Sequence, residues 1–75
     1  MNARELVKDR PIKVLRLPQV CDLTGLCRSM IYQMEADLRF PGRIKLGARA
    51  VGWLEKEVQE WLVQRIDRSR PVSNR

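Results

Sequence analysis

Gly25 stands between two short segments of helical spacing, and it restricts the fold more than any other residue. Upstream, Leu17, Val20, Cys21 and Thr24 recur at intervals of three and four. Pro18 falls in the first turn, where its missing N–H is not needed. Glycine reaches positive φ without the steric cost of a Cβ, so Gly25 ends this first helix after about two turns. Downstream, a second helix is expected from Arg28 to Asp37 or Leu38. Neither is long enough to persist alone, so each must be held by tertiary packing across a tight turn. The spacing therefore predicts a helix-turn-helix.

The second helix has two faces when residues are set about 100° apart. Cys27, Ile31, Met34 and Leu38 share one side, and the core is expected there. Arg28, Ser29, Tyr32, Gln33 and Ala36 share the other, with hydrogen-bonding groups concentrated at the N-terminal end. That end carries the positive pole of the helix dipole, which favours phosphate. Cys21, four residues before Gly25, reads as the small side chain that crossing helices require.

After "RFPGR" the period changes. In "IKLGARAVGW", Ile44 and Leu46 alternate around Lys45, Gly47-Ala48-Arg49 turns, and Val51 alternates toward Trp53. This predicts a two-stranded β-hairpin with Arg49 at its tip and one face packed on the helices. In "LEKEVQEWLVQRI" the apolar residues Leu54, Val58, Trp61, Leu62 and Ile66 make one stripe of a third helix, with Trp61 in the core. Its acidic residues Glu55, Glu57 and Glu60 suit the early turns and turn this helix away from a polyanion.

Charge is distributed unevenly. Fifteen Lys and Arg stand against nine Asp and Glu, a net charge of +6. Residues 1–15 carry +2, 16–40 balance, 41–54 carry +3 with no acid, 55–66 carry −1 and 67–75 carry +2. A basic hairpin and basic ends point to nucleic acid. The organisation expected is a flexible basic arm over 1–15, with a short strand near Ile12 to Leu15, a domain over 16–66, and a disordered basic tail over 67–75.

A 75-residue chain buries only about 60% of its unfolded surface and has little room for an enzyme cleft. Histidine is absent, which removes the commonest general base and the commonest metal ligand. No catalytic residue, metal site or cofactor is expected. Cys21 and Cys27 match no zinc spacing, and the first residues hold no apolar run resembling a signal peptide. No stretch approaches the roughly 20 apolar residues of a membrane span. The expected setting is cytosolic and reduced.

The order helix, turn, helix, basic hairpin, amphipathic helix is that of a small winged helix-turn-helix: mainly α, with three helices and a two-stranded wing. The residues match more closely still. "RLPQVCDLTGLCRSMIYQME" followed by "FPGRIKLGARAVGWLEKEVQEWL" resembles the AlpA family of phage and prophage regulators over roughly residues 16–66. "GLxRSxIY" followed by "FPxxIKLGxRAVGW" carries the resemblance. It implies a MerR-like or excisionase-like winged fold, binding to promoter or attachment-site DNA, and control of integrase expression or excision. Cys27 stands where that family usually has a capping serine, and Met30 where it usually has threonine. A thiol caps less well than a hydroxyl, by about 1 kcal/mol at most.

The DNA-contacting residues expected on the second helix are Arg28, Ser29, Met30, Tyr32 and Gln33, and on the wing Arg43, Lys45 and Arg49. Arg28 suits a guanine edge, Gln33 an adenine edge, and Met30 a thymine methyl. One such module buries about 600–1,000 Å² on DNA, so a homo-oligomer or a cooperative array is expected. Three other readings compete. An architectural excisionase would bend attachment-site DNA, and an adaptor would use the same helix face on an integrase or RNA polymerase. A small RNA-binding protein ranks last, because Tyr32 is the one exposed aromatic expected for base stacking.

Overall fold

The computed structural model describes residues 11–70. Along the chain stand β1 (Val14–Leu15), α1 (Leu17–Thr24), α2 (Arg28–Ala36), β2 (Ile44–Lys45), β3 (Val51–Leu54) and α3 (Glu55–Ser69). Most of the expected arm, and the end of the expected tail, lie outside the described residues.

Local chemistry explains the first two helices. The Arg16 backbone N–H donates to Gln19 Oε1 at 2.8 Å and closes the start of α1. At its end Gly25 takes φ 77° and donates its N–H to the Cys21 carbonyl at 2.8 Å. Thr24 secures the turn from the other side: its hydroxyl donates to the Val20 carbonyl at 2.8 Å and accepts the Leu26 N–H at 3.2 Å. Cys27 holds the N-cap position of α2 in extended conformation, without a side-chain cap.

Helix α2 ends in a Schellman turn. Leu38 donates its N–H to the Glu35 carbonyl at 3.0 Å, and Arg39 donates to the Met34 carbonyl at 2.8 Å. This turn places Leu38 at φ 61°, the left-handed position that glycine usually fills. The turn also swings the side chain out, so Leu38 is 91% exposed. Of the face expected in the core, Ile31 and Met34 are buried, whereas Cys27 and Leu38 are exposed. A left-handed L-residue costs about 1–2 kcal/mol, partly offset for glycine by its freedom in the unfolded chain. Leu38→Gly should therefore stabilise the fold by about 0.5–1 kcal/mol and raise the melting temperature by about 2–8 °C. An unchanged or lower midpoint in a circular dichroism melt would refute this account of the turn.

The three strands form an antiparallel sheet in the order β1-β3-β2. The expected hairpin pairs Ile44 with Gly52 and Lys45 with Val51. The sheet gains a third strand because β1 takes the other edge of β3, pairing Val14 with Leu54 and Leu15 with Trp53. The Glu55 N–H continues this edge by donating to the Lys13 carbonyl at 2.9 Å. A hairpin alone is marginal in water, and the strand from the expected arm supplies the missing support. Gly52 is buried where these strands meet.

Four side chains are fully enclosed: Val20, Ile31, Trp53 and Val58. They come one each from α1, α2, β3 and α3, so no element closes the core without the others. Each contributes about 1.5–3 kcal/mol by burial. Leu15, Met34 and Phe40 complete the cluster, with Cys21 half-buried against it. Trp53 Nε1 meets no acceptor among the described residues, a cost of about 1–3 kcal/mol set against the burial of its ring.

Helix α3 differs from the expected stripe at both ends. Leu54 closes β3 and caps the helix, and Ile66 is 47% exposed. Fifteen residues span about 22 Å and outrun the core, so the last turns have nothing to pack on. The helix also continues through Asp67 to Ser69, residues expected in the tail. Trp61 is half-buried: its indole N–H donates to the Arg39 carbonyl at 2.7 Å, and its ring meets Phe40 edge-on at 4.8 Å. These contacts fasten the segment after α2 onto α3. No described helix is long and apolar enough to cross a membrane.

Candidate nucleic-acid interface

The exposed half of α2 follows from the core half. With Ile31 and Met34 turned inward, Arg28, Ser29, Met30 and Gln33 must point to solvent, and all four are exposed. Met30 is 42% exposed, so a flexible thioether lies on the outer surface. The Gly25 turn sets the helix angle, and the extended backbone at Cys27 leaves the N-terminal amides of α2 without a side-chain cap.

Tyr32 is different. It is half-buried, with its ring 6.5 Å from that of Trp53, so only part of it is available on the surface. Arg43 also lies over this ring, its guanidinium carbon 5.0 Å from the centroid. An arginine over a tyrosine face is held by the ring quadrupole.

Arg43 is also tied to α2 through Glu35. Its backbone N–H donates to Glu35 Oε2 at 2.6 Å, and its Nε lies 3.1 Å from Glu35 Oε1. The second approach is an ion pair rather than an aligned hydrogen bond. The Glu35 side chain is only 12% exposed, against 46% for Arg43. Arg43 thus braces the base of the hairpin against α2 while keeping part of its guanidinium in water.

Lys45 and Arg49 carry no such ties among the described residues, and both are exposed. Lys45 sits on β2, and Arg49 lies in the loop closed by Leu46 and Gly47 N–H groups that donate to the Ala50 carbonyl at 2.7 and 3.2 Å. The structure therefore brings Tyr32 and Arg43 together and leaves Arg28, Ser29, Met30, Gln33, Lys45 and Arg49 free. Glu35 was missed from sequence because it lies at the edge between the two faces of α2, and its partner is eight residues away across a loop. Among the described residues no cluster of three metal-ligating side chains occurs.

Two short helices across a left-handed glycine turn, a third helix packed on β3 and a braced β-hairpin define a winged helix-turn-helix protein. The family model described as "Prophage CP4-57 regulatory protein (AlpA)" matches residues 13–66, and the chain belongs to the AlpA family. It is 42% identical over 60 residues to the DNA-binding transcriptional activator AlpA of Escherichia coli K12, covering 72% of this chain and 86% of that one. It is also 43% identical over 54 residues to uncharacterized protein ORF88 of Enterobacteria phage P4, covering 72% of this chain and 61% of the phage protein. The family match starts just before β1, so it includes the edge strand that completes the sheet.

Proposed function

We propose that this chain is a sequence-specific duplex-DNA-binding transcriptional regulator of phage or prophage type. Its targets are promoter or attachment-site DNA, through which it controls integrase expression or excision. The observation that carries this reading is the exposed row Arg28, Ser29, Met30 and Gln33 at the start of a helix whose angle is held by Gly25. The relative from Escherichia coli, a DNA-binding transcriptional activator, supports it.

The N-terminal half of α2 enters the major groove, where Arg28 takes a guanine edge, Gln33 an adenine edge and Met30 a thymine methyl. Ser29 suits a base or a phosphate. Lys45 and Arg49 lay the wing on the adjacent backbone or minor groove and position the helix without reading sequence. Tyr32 and Arg43 hold the wing at the right distance from α2, and Arg43 offers its exposed edge to a phosphate.

The test is a binding titration on promoter and attachment-site duplexes against a scrambled duplex at several salt concentrations. Specific binding should weaken with salt at a slope of about −0.9 per phosphate contact. Arg49→Ala should lower that slope by about one contact and leave thermal stability unchanged. Arg43→Ala should weaken binding and also lower the melting temperature, because it cuts the tie to Glu35. Equal, weak binding to all duplexes would reject the reading, and equal stability of the two variants would reject the brace.

A further inference from the structure

The sheet has two faces, and the core uses one. Along β3, Val51 and Trp53 turn toward the helices, so Gly52 and Leu54 turn away. The ladder pairs Ile44 with Gly52 and Val14 with Leu54, which puts both on that outer side. Leu46 joins them two residues beyond Ile44, and Ile12 two residues before Val14. A Cβ at position 52 would lie 2.5 Å from Val14 Cγ1 and 3.2 Å from Leu46 Cδ1, so both side chains close over the one glycine. None of these residues belongs to the core cluster or packs against it. Leu46 is 47% exposed and Ile12 41%, with Val14, Ile44 and Leu54 half-buried. An antiparallel sheet with one face on a core commonly shows polar residues on the other. Here the outer face is apolar across all three strands, and such a patch marks a docking surface.

Charge selects the occupant. The segments that form the sheet, residues 11–16 and 41–54, hold Lys13, Arg16, Arg43, Lys45 and Arg49 and no acid. Arg16 is exposed, extended (φ −89°, ψ 168°) and two residues beyond Val14, so it stands at the outer face itself. Glu55, the first acid after β3, is drawn to Lys13 at 3.7 Å. A second copy laid on this face would set basic edge against basic edge. Residues 1–10, with three bases and two acids, are net basic as well. Duplex DNA has the right charge, but its phosphates give the apolar floor no partner. We infer that the outer face of the sheet docks an acidic amphipathic helix of a protein partner. Its apolar stripe covers Val14, Ile44, Leu46 and Leu54, and its carboxylates meet Arg16 and the basic edges. Ile31 and Met34 hold α2 on the Trp53 side of the sheet, so a partner bound here leaves the groove-reading row uncovered.

The experiment uses a fluorescent synthetic helix of leucine and glutamate, amphipathic by design, and a scrambled peptide of the same composition. In anisotropy titrations of the full chain without DNA, the amphipathic peptide should bind at least about tenfold more tightly than the scrambled one. Leu46→Gln and Arg16→Glu should each weaken it by about fivefold or more, with thermal melts checking that both variants fold. Methyl chemical-shift mapping on the wild type should place the peptide on Val14, Ile44, Leu46 and Leu54. Equal affinity for the two peptides would leave only charge and overturn the inference, as would shifts confined to residues 28–33. A wild type that sediments as a dimer, with Leu46→Gln monomeric, would make a second copy the occupant instead. A duplex that shifts the Val14, Ile44 and Leu54 methyls as far as the peptide does would make it DNA. Because the peptide titration contains no DNA, its failure leaves the DNA-binding reading standing, and a chain that binds the peptide but no duplex rejects only that reading.

Discussion

Replacing Gly52 with alanine should destabilise the domain by about 1–3 kcal/mol, the usual cost of overpacking a close-packed site. The reason is the three-strand junction. A Cβ at position 52 would lie 2.5 Å from Val14 Cγ1, 3.0 Å from the Leu15 carbonyl oxygen and 3.2 Å from Leu46 Cδ1. The Val14 and Leu46 side chains can rotate away, but the Leu15 carbonyl belongs to the edge strand and can move only if β1 does. Alanine therefore either strains the junction or loosens β1 from β3, and both routes weaken the sheet under Trp53. In a domain of this size each kcal/mol lowers the melting temperature by about 4–8 °C. Gly47→Ala is the control, since a Cβ there meets nothing within 4 Å. Urea denaturation of both variants decides the point: equal midpoints would show that β1 does not press on β3 as described.

Arg28→Ala should remove about 1–3 kcal/mol of discrimination between the preferred and a scrambled duplex, roughly five- to 140-fold. Arg28 is the first residue of α2 and is exposed, and no ion pair among the described residues engages it. Its loss therefore leaves the fold intact and removes one bidentate donor from the groove. Arg49→Ala, by contrast, should weaken both duplexes alike. The measurement is competitive titration of both variants against the two duplexes, with thermal melts alongside. Parallel losses for Arg28→Ala on both duplexes would make it a phosphate contact rather than a base reader.

What could be read from sequence was local. Gly25 and the spacing of Leu17, Val20, Cys21 and Thr24 located the first turn, because helix termination depends on backbone sterics within a few residues. The alternation from Ile44 to Trp53 located the hairpin for the same kind of reason. What could not be read was set by partners far along the chain. The pairing of Val14 with Leu54 spans the whole helical hairpin, and the Glu35–Arg43 brace depends on how an intervening loop folds back. Leu38 was placed in the core because its angular position fits that face. The helix stops before it, and the Schellman turn redirects it. Gly52 did leave a signal, since a glycine inside a strand pattern marks a close backbone approach. The exposed positions of Arg28, Ser29 and Gln33 agree with the expected helix faces, and Met30, assigned to neither face, is exposed beside them, whereas Tyr32 and Arg43 proved to be partly occupied with each other.

The central claim is that the start of α2 and the β2–β3 hairpin form one DNA-facing surface, with α3 outside it. Amide chemical-shift mapping by NMR tests this most directly, by titrating the labelled chain with its preferred duplex. The largest shifts should fall on residues 28–33 and 45–50, with little change over 57–68. Shifts concentrated on 57–68, with 28–33 unmoved, would contradict the account.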